Sequence, residues 1–150
     1  MRVLIASLCL LASFGAAAQS EGESLAQYYF AAARSNQVAV LEEFLEAGFP
    51  VDLRDPQSYT ALMIAAYNGN SEAVASLLAH QADACLRDKR GNTALMGAMV
   101  KGEWGIAKRL YRQACEDKPN KAGLSLDAFA ELFGQSEQLR ALRQQLEQPR

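Results

Sequence analysis

Histidine is the scarcest chemically reactive residue in this chain of 150 residues, which has only His80. Cysteine is nearly as rare, and no two of its three cysteines stand at the short spacing of a zinc-binding pair. The sequence contains neither a glycine-rich phosphate loop nor a serine in a nucleophile elbow. Because no residues remain for a catalytic triad or a metal cage, we expect a protein that is not an enzyme and uses no metal or cofactor.

The remaining polar candidates are better explained as solvated or turn residues than as catalytic groups. His80 stands near the predicted end of a helix, where we expect solvent around the ring. One acidic group, Glu42, Glu43 and Glu46, occupies helix positions that point apart, which indicates a solvated face. The other acidic group lies in predicted loops, where short carboxylates bond local backbone N–H groups. Its members are Asp52, Asp55, Asp83 and Asp88.

An excess of charge of one sign is also missing. The formal net charge is −2, and the chain is 50% hydrophobic and 21% charged, as in an ordinary folded soluble protein. This composition excludes a strongly basic nucleic-acid-binding protein and a disordered chain. The mild acidity by itself indicates no particular partner.

Long hydrophobic runs are limited to one stretch near the start. It extends from Val3 to Ala18, follows Arg2, and is shorter than the roughly 20 residues that cross a bilayer. It ends in three alanines, a pattern typical of a secretory signal peptide. We therefore predict a signal peptide at 1–18, cleaved after Ala18, and an exported domain at 19–150 with no membrane attachment. A membrane anchor is the alternative.

The rest of the chain repeats itself with a period of 33 residues. Thr60–Met63 returns as Thr93–Met96, and Gly69 returns as Gly102. A weaker copy lies upstream, and a fourth follows after a one-residue deletion, with Ser125 at the phase of Thr93. Such a period is the mark of a stacked repeat architecture. The predicted copies cover about 24–57, 58–90, 91–122 and 123–147.

Each copy has the pattern of two antiparallel helices. Thr60, Thr93 and Ser125 precede a helical pattern and are predicted N-caps. About nine residues later stands a residue that tolerates the left-handed conformation closing a helix. These residues are Asn36, Gly69, Gly102 and Gly134. Since no single pair can bury its own apolar face, we predict an all-α solenoid of about four helix-turn-helix repeats.

These features resemble the ankyrin repeat over roughly residues 24 to 147. Thr-Ala-Leu-Met at Thr60 and Thr93 stands where that family has Thr-Pro-Leu-His. Ala65-Ala66 and Leu77-Leu78 match its paired alanines and leucines. The resemblance implies a protein-binding array. The absent His and Pro imply that one hydrogen-bonding link between neighbouring repeats is lost, and Met63 and Met96 put apolar side chains there instead.

Cys85 and Cys115 occupy nearly equivalent loops of adjacent copies. Both remain after the predicted cleavage, and an even number of cysteines in an exported protein favours a disulfide. Bridging requires the two Cα atoms to lie within about 7 Å, which depends on how the loop extends. A peroxide-sensing thiol pair and two inert thiols are the alternatives.

The ankyrin resemblance places partner contacts on the turn tips and the inner face of the first helices. By phase, these contacts are Arg34, Tyr59, Tyr67, Asn68, Lys89, Arg90, Asn92, Lys101 and Phe133, extended by Ser35, Val100, Lys121 and Leu132. Tyrosines beside Lys and Arg are typical of an interface centre, and the basic strip predicts a partner with an acidic face. Solvated turn residues are the alternative. Trp104 is expected to pack between helices.

A small exported array with paired cysteines is also similar to the periplasmic ankyrin proteins of Gram-negative bacteria. This similarity implies a periplasmic or secreted protein. We expect a monomer that acts as a non-catalytic scaffold or adaptor for another protein, without nucleic-acid or membrane partners. One alternative is an immunity or inhibitor protein for a toxin or hydrolase. Another, implied by the resemblance alone, is protection against peroxide stress linked to catalase.

Overall fold

The computed structural model describes residues 13–148, with side chains from residue 21 onward, and this range contains helices and loops but no strand. Its helices are α1 (Ser13–Arg34), α2 (Val38–Glu46), α3 (Ala61–Tyr67), α4 (Ser71–Ala79), α5 (Ala94–Val100), α6 (Trp104–Tyr111), α7 (Leu126–Leu132) and α8 (Ser136–Glu147). Consecutive helices pair, first helices pack on first helices, and second helices pack on second helices. The predicted all-α solenoid of about four helix pairs is confirmed.

The first helix is longer than its counterparts. α1 has 22 residues and begins at Ser13, upstream of residue 24, where the sequence pattern places the first copy. Alanines at 16–18 have the highest helix propensity and favour this extension. Residues 1–12 of the predicted signal peptide lie outside the described residues, and the signal peptide stays a prediction.

The ends of the first helices follow the predicted capping pattern. The side-chain oxygens of Thr60, Thr93 and Ser125 accept hydrogen bonds from the N–H three residues ahead, at 3.3, 3.4 and 3.3 Å. The helices close at residues with positive φ, which are Asn36, Gly69, Gly102 and Gly134. The structure therefore confirms the three predicted N-caps and the predicted ends of all four first helices, but not the start of α1.

The core runs along the stack and depends on small residues. An alanine at one phase of every first helix is almost completely buried, as Ala32, Ala65, Ala98 and Ala130. A methyl group lets neighbouring helices approach closely, so larger apolar side chains such as Leu62 fill the space around them. Apolar burial between pairs is therefore the main stabilising interaction of the array.

Arginines in the turns link each helix pair to the next. One Nη of Arg54 donates to the carbonyl of Ser58 in its own turn and to the carbonyl of Arg87 in the next, at 3.0 and 2.7 Å. Arg87 repeats the arrangement one period later and donates to the carbonyls of Gly91 and Glu116. These bonds provide polar links between successive turns of the stack.

A second set of links lies at the other end of the helices. The Oδ1 of Asn36 accepts from the N–H of Ala73 at 3.0 Å, and Asn70 donates to the carbonyl of Ala33 at 2.9 Å. Elsewhere in the stack, two acidic residues differ from expectation. Asp52 accepts from the N–H of Asp83 in the next loop, and Glu42 accepts from the hydroxyl of Ser76 in the next helix pair. Both therefore link repeats instead of serving a local turn or a solvated face.

Trp104 packs as predicted, whereas His80 is less exposed to solvent than predicted. Trp104 is half-buried against the core, and its indole N–H donates to Oε1 of Gln135 at 3.1 Å, which confirms its packing between pairs. His80 is also half-buried and not fully solvated. Its Nδ1 lies 3.0 Å from the carbonyl of Ser76, one turn back along α4.

A disulfide joins Cys85 and Cys115, whose Cα atoms are 5.3 Å apart. The loops after α4 and α6 therefore extend far enough to bring the two cysteines within bridging distance. Because these loops belong to the second and third helix pairs, the bond connects the two central units of the stack.

The last helix is held by one charged group. The guanidinium of Arg143 on α8 donates to both carboxylate oxygens of Asp127 on α7, at 2.6 and 3.0 Å, and to the Tyr111 hydroxyl on α6 at 3.1 Å. Arg143 thus joins α8 to both α6 and α7. Its hydrogen bonds lower the pKa of the Asp127 carboxyl from the ordinary value of 3.8.

Removal of the disulfide should destabilise the array. The bond closes a loop with a sequence separation of 30, so replacing both cysteines (Cys85→Ser, Cys115→Ser) should lower the free energy of unfolding by about 3–4 kcal/mol. Urea titration followed by circular dichroism measures this loss. Reduced wild-type protein is the control and should match the variant. A loss below about 1 kcal/mol would contradict a stapling role.

The Arg143–Asp127 pair should make stability depend on pH in a defined direction. Since folding lowers the pKa of Asp127 from 3.8, the pair stabilises the fold above pH 3.8, and this contribution disappears as the pH falls through and below that value. Asp127→Asn should therefore lower the Tm at pH 7. The corresponding loss in the free energy of unfolding should be less than about 1 kcal/mol because the carboxyl is exposed, and the difference in Tm between variant and wild type should decrease at acid pH. Glu131→Gln on the same helix is the control. An effect equal at pH 7 and pH 3 would refute the pairing.

Candidate partner-binding groove

A groove crosses the inner face of the first helices, from α1 to α7, and is bordered by the turns before α3 and α5. Its volume is about 510 Å³, within the range of ordinary ligand sites. The groove exists because the second helices pack along the other side of the stack and leave this face uncovered. Its apolar lining includes Met63, Ile64, Met96, Gly97, Val100 and Phe129.

Seven of the nine predicted partner contacts line this one groove. They are Arg34, Tyr59, Tyr67, Asn68, Arg90, Asn92 and Phe133. The other two lie beside it. The ammonium of Lys101 sits 4.6 Å from the centre of the Tyr67 ring, and the ammonium of Lys89 donates to the carbonyl of Pro56 in the preceding turn at 2.6 Å.

The four positions that extend the predicted strip behave differently from one another. Val100 lines the groove, whereas Ser35, Lys121 and Leu132 do not. Leu132 has 65% of its surface exposed, beyond the edge of the groove. The structure thus brings most of the predicted strip together, and the binding role of these residues stays a prediction.

Acidic side chains shape the turns that border the groove. Oδ1 of Asp55 accepts from the N–H groups of Gln57 and Tyr59 at 2.9 and 2.8 Å. Oδ1 of Asp88 accepts in the same way from the N–H groups of Arg90 and Asn92. These bonds are the turn chemistry that the sequence predicts for both aspartates. The same hydrogen bonds fix the backbone of the two turns that carry the Tyr59, Arg90 and Asn92 side chains.

In the next turn an amide performs this role. Oδ1 of Asn120 accepts from the N–H groups of Ala122 and Leu124, both at 3.0 Å. Its Nδ2 also donates to Oδ1 of Asn92 at 2.8 Å, which joins the third turn to the second. Because asparagine is neutral, this end of the strip lacks the negative charge that an aspartate would add.

Gly91 allows the two turns to approach each other. Its φ is +79°, a conformation that glycine adopts without strain. A Cβ there would lie only 3.0 Å from the backbone nitrogen of Lys121. That nitrogen donates to the carbonyl of Arg90 at 2.9 Å. The Arg90 turn is therefore anchored to the following turn, and any larger residue at 91 would force the two apart.

The cations at the groove are available to a partner. Among the residues that the structure describes, ion pairs within 4.0 Å join only Lys118 to Glu116 and Arg143 to Asp127. Arg34 and Arg90 thus have no carboxylate partner in that range. Asp55 and Asp88 also border the groove, but each directs one oxygen to two backbone N–H groups. The groove therefore offers unpaired guanidinium groups over an apolar floor.

Most of the groove floor is not apparent from the repeat pattern. That pattern identifies Met63 and Met96 only as replacements for a histidine, and it assigns no role to Ile64, Gly97 or Phe129. The last three residues share one phase of the repeat, with Phe129 displaced by the one-residue deletion. Alignment of the copies by phase could have shown that glycine stands between two bulky residues. It could not have shown that this phase faces the groove.

A second cavity of about 340 Å³ lies between α5, α6 and α8, next to Cys115. Its charged lining residues already have partners: Arg143 is bound to Asp127 and Tyr111, and Arg87 donates to two backbone carbonyls. This cavity therefore offers less unsatisfied charge than the groove, which is the better candidate site.

The described residues contain neither a metal-binding cluster nor a membrane-spanning helix. Within 13–148, no three side chains of His, Cys, Asp or Glu are grouped so that they could hold a metal ion. The helices described in that range are too short or too polar to span a bilayer. What the groove provides is aromatic and aliphatic surface with guanidinium groups, which suits non-covalent binding.

Comparison with known proteins gives one consistent result. A family model described as ankyrin repeats, in three copies, matches residues 29–121. An ankyrin repeat-containing protein of Treponema pallidum (strain Nichols) is 36% identical over 105 residues, which cover 68% of this chain and 35% of that protein. The potassium channel AKT2/3 of Arabidopsis thaliana is 32% identical over 113 residues, which cover 71% of this chain and 14% of the channel.

Ankyrin repeat domain-containing protein 63 of Homo sapiens is 32% identical over 103 residues, which cover 65% of this chain and 27% of that protein. The chain spans 14% to 35% of the length of these three relatives. The matches therefore concern the repeat array that carries the groove.

Proposed function

Because the chain belongs to the ankyrin-repeat family, whose members are protein-interaction scaffolds and generally not enzymes, we propose that it is a non-catalytic adaptor that binds a protein in the periplasm or outside the cell. The observation that carries the proposal is the groove, which collects seven predicted contact residues on one uncovered face. Aromatic and arginine side chains of this kind supply most of the binding energy at protein interfaces.

The partner face that fits this groove is acidic. Arg34 lies at the end of α1 and Arg90 in the turn before α5, so the guanidinium groups border the groove from two repeats. A guanidinium group binds a carboxylate through two parallel hydrogen bonds, which fixes both the position and the orientation of the partner. A net charge of −2 for the whole chain favours a protein over a nucleic acid as the occupant.

The disulfide supports an exported location. Disulfides form and persist in oxidising compartments and are rare in the cytosol. The Cys85–Cys115 bond therefore agrees with the apolar run at 3–18 as a signal for export. An adaptor in that compartment would work in the oxidised form described above.

Reversal of the groove charges should abolish partner capture. Arg34→Glu combined with Arg90→Glu places carboxylates opposite an acidic partner, so proteins retained by the oxidised wild type from an extract of the native cells should be retained about tenfold less or worse. Quantitative mass spectrometry of the retained proteins measures this change.

The matched control is Arg109→Glu with Arg112→Glu, which makes the same change in net charge at exposed residues near the end of α6, outside the groove. It should retain the wild-type set. Loss of the same proteins from both double variants would indicate a non-specific charge effect and contradict the groove assignment.

Export should remove the first 18 residues. The mature protein isolated from its native cells should begin at Gln19, as read by intact mass and N-terminal sequencing, because small residues at 16 and 18 suit a signal-peptide cleavage site. Ala18→Phe, which places a large side chain at that site, should block cleavage. An uncleaved wild-type chain in the membrane fraction would instead support a membrane anchor.

A further inference from the structure

Gly97 lies inside α5 and on the floor of the groove. Glycine in a helix interior is less favourable than alanine because it loses more backbone freedom on folding. The positions at the same phase on the neighbouring first helices hold Ile64 and Phe129. The groove floor therefore has a gap in its middle, between two large side chains.

The packing of the helices does not require this glycine. Its φ is not positive, so its backbone suits any residue. A Cβ built there would meet only Cβ and Cδ2 of Tyr67, both at 3.9 Å, which is ordinary van der Waals contact. Gly91, by contrast, is required by a backbone contact at 3.0 Å. At residue 97 the missing side chain leaves room on the groove side.

The side chains around the gap make it a notch of defined chemistry. Tyr67 contacts the Gly97 position from α3 and is 48% exposed. Phe129 on α7 and Phe133, the residue that follows α7, line the same groove as a ring pair whose centroids are 4.8 Å apart. Met96, beside Gly97 in the chain, also lines the groove. The notch is thus aromatic and apolar, with a flexible methionine that can adapt to an inserted group.

We propose that the notch over Gly97 receives one large apolar side chain from an acidic, extended segment of the partner, whose carboxylates bind Arg34 and Arg90. This inference rests on the proposed function and adds the form of the partner segment. First helices packed about 9 Å apart make the groove about 27 Å long from α1 to α7. A segment of about eight extended residues covers that length.

Charge complementarity selects the acidic character of the segment. Arg34 and Arg90 have no carboxylate within 4.0 Å among the described residues, and Lys101 adds a third cation beside Tyr67. Two aspartates border the same groove, but one oxygen of each already accepts from two backbone N–H groups. The notch therefore has unpaired cations at its flanks and an apolar centre. A segment with acidic residues around a single Phe, Trp, Leu or Met matches both features.

The test uses a phage library of random 12-residue peptides selected against the oxidised full-length mature protein. Enriched peptides should carry several Asp or Glu residues around one large apolar residue. Replacing that residue by glycine should weaken binding of the synthetic peptide about tenfold or more, as measured by fluorescence anisotropy. Enrichment of neutral or basic peptides, or of peptides without an apolar anchor, would overturn the proposal.

Substitutions at Gly97 that fill the notch test the same proposal through the protein instead of the peptide. Gly97→Leu should weaken the same peptide about tenfold or more, whereas Gly97→Ala should weaken it less and raise the Tm by about 3 °C. Gly105→Ala and Gly105→Leu are the matched controls, since Gly105 is an exposed helical glycine on α6, outside the groove, with nothing within 4 Å of its added Cβ. They should leave peptide binding unchanged.

Methionine methyl groups report where the peptide binds. All three of these methionines are buried, but only Met63 and Met96 line the groove, and Met99 does not. On addition of the peptide, the methyl NMR signals of Met63 and Met96 should shift and that of Met99 should stay in place. A shift confined to Met99, or no shift at Met96, would overturn the placement even if Gly97→Leu fails to fold.

The two proposals fail in different ways. Peptides that lose binding to the Arg34→Glu, Arg90→Glu variant but bind Gly97→Leu normally would overturn the notch and leave the groove as the binding site. Peptides that bind both variants as tightly as the wild type, or a library that yields none, would overturn the groove as a peptide site altogether.

Discussion

The structure depends on the close approach of helix pairs that cannot bury their apolar faces alone. Fully buried alanines such as Ala65 and Ala98 make this approach geometrically possible. Because stability in such a stack arises between neighbours, polar links that hold one pair to the next matter as much as those within a pair. Arg54 and Arg87 provide two such links, which join the three successive turns between the four pairs. The uncovered inner face, and with it the groove, follows from the same stacking.

The fold was predictable because its determinants are local and repeated. The caps at Thr60, Thr93 and Ser125 and the left-handed residues at the helix ends are all visible as single residue types at a fixed spacing. The links made by Asp52 and Glu42 were not predictable, because each depends on which atom of the next repeat lies opposite. The length of α1 was missed for a related reason, since the helix continues beyond the repeat pattern.

The candidate site was only partly visible in the sequence. The ankyrin resemblance, carried over by repeat phase, located the rim, where Tyr67 and Arg90 stand, because that phase is set by the helix and turn geometry of every copy. The floor escaped notice because apolar residues such as Ile64 and Phe129 have the same appearance whether they face the core or a groove. Only the packed helices show that Gly97 is a gap on the floor, whereas Gly105 opens toward solvent.

The covalent bond between the second and third helix pairs also affects how the array loses structure. In a one-dimensional chain of units, the two outer pairs each have a single neighbour and separate most easily, while the bonded centre stays closed. The groove takes side chains from all four pairs, so its two ends come from the units that fray first. A ligand that binds along the whole groove would contact the outer pairs and the central pairs at once. It would therefore stabilise the outer pairs in the folded state, so that the four pairs unfold together.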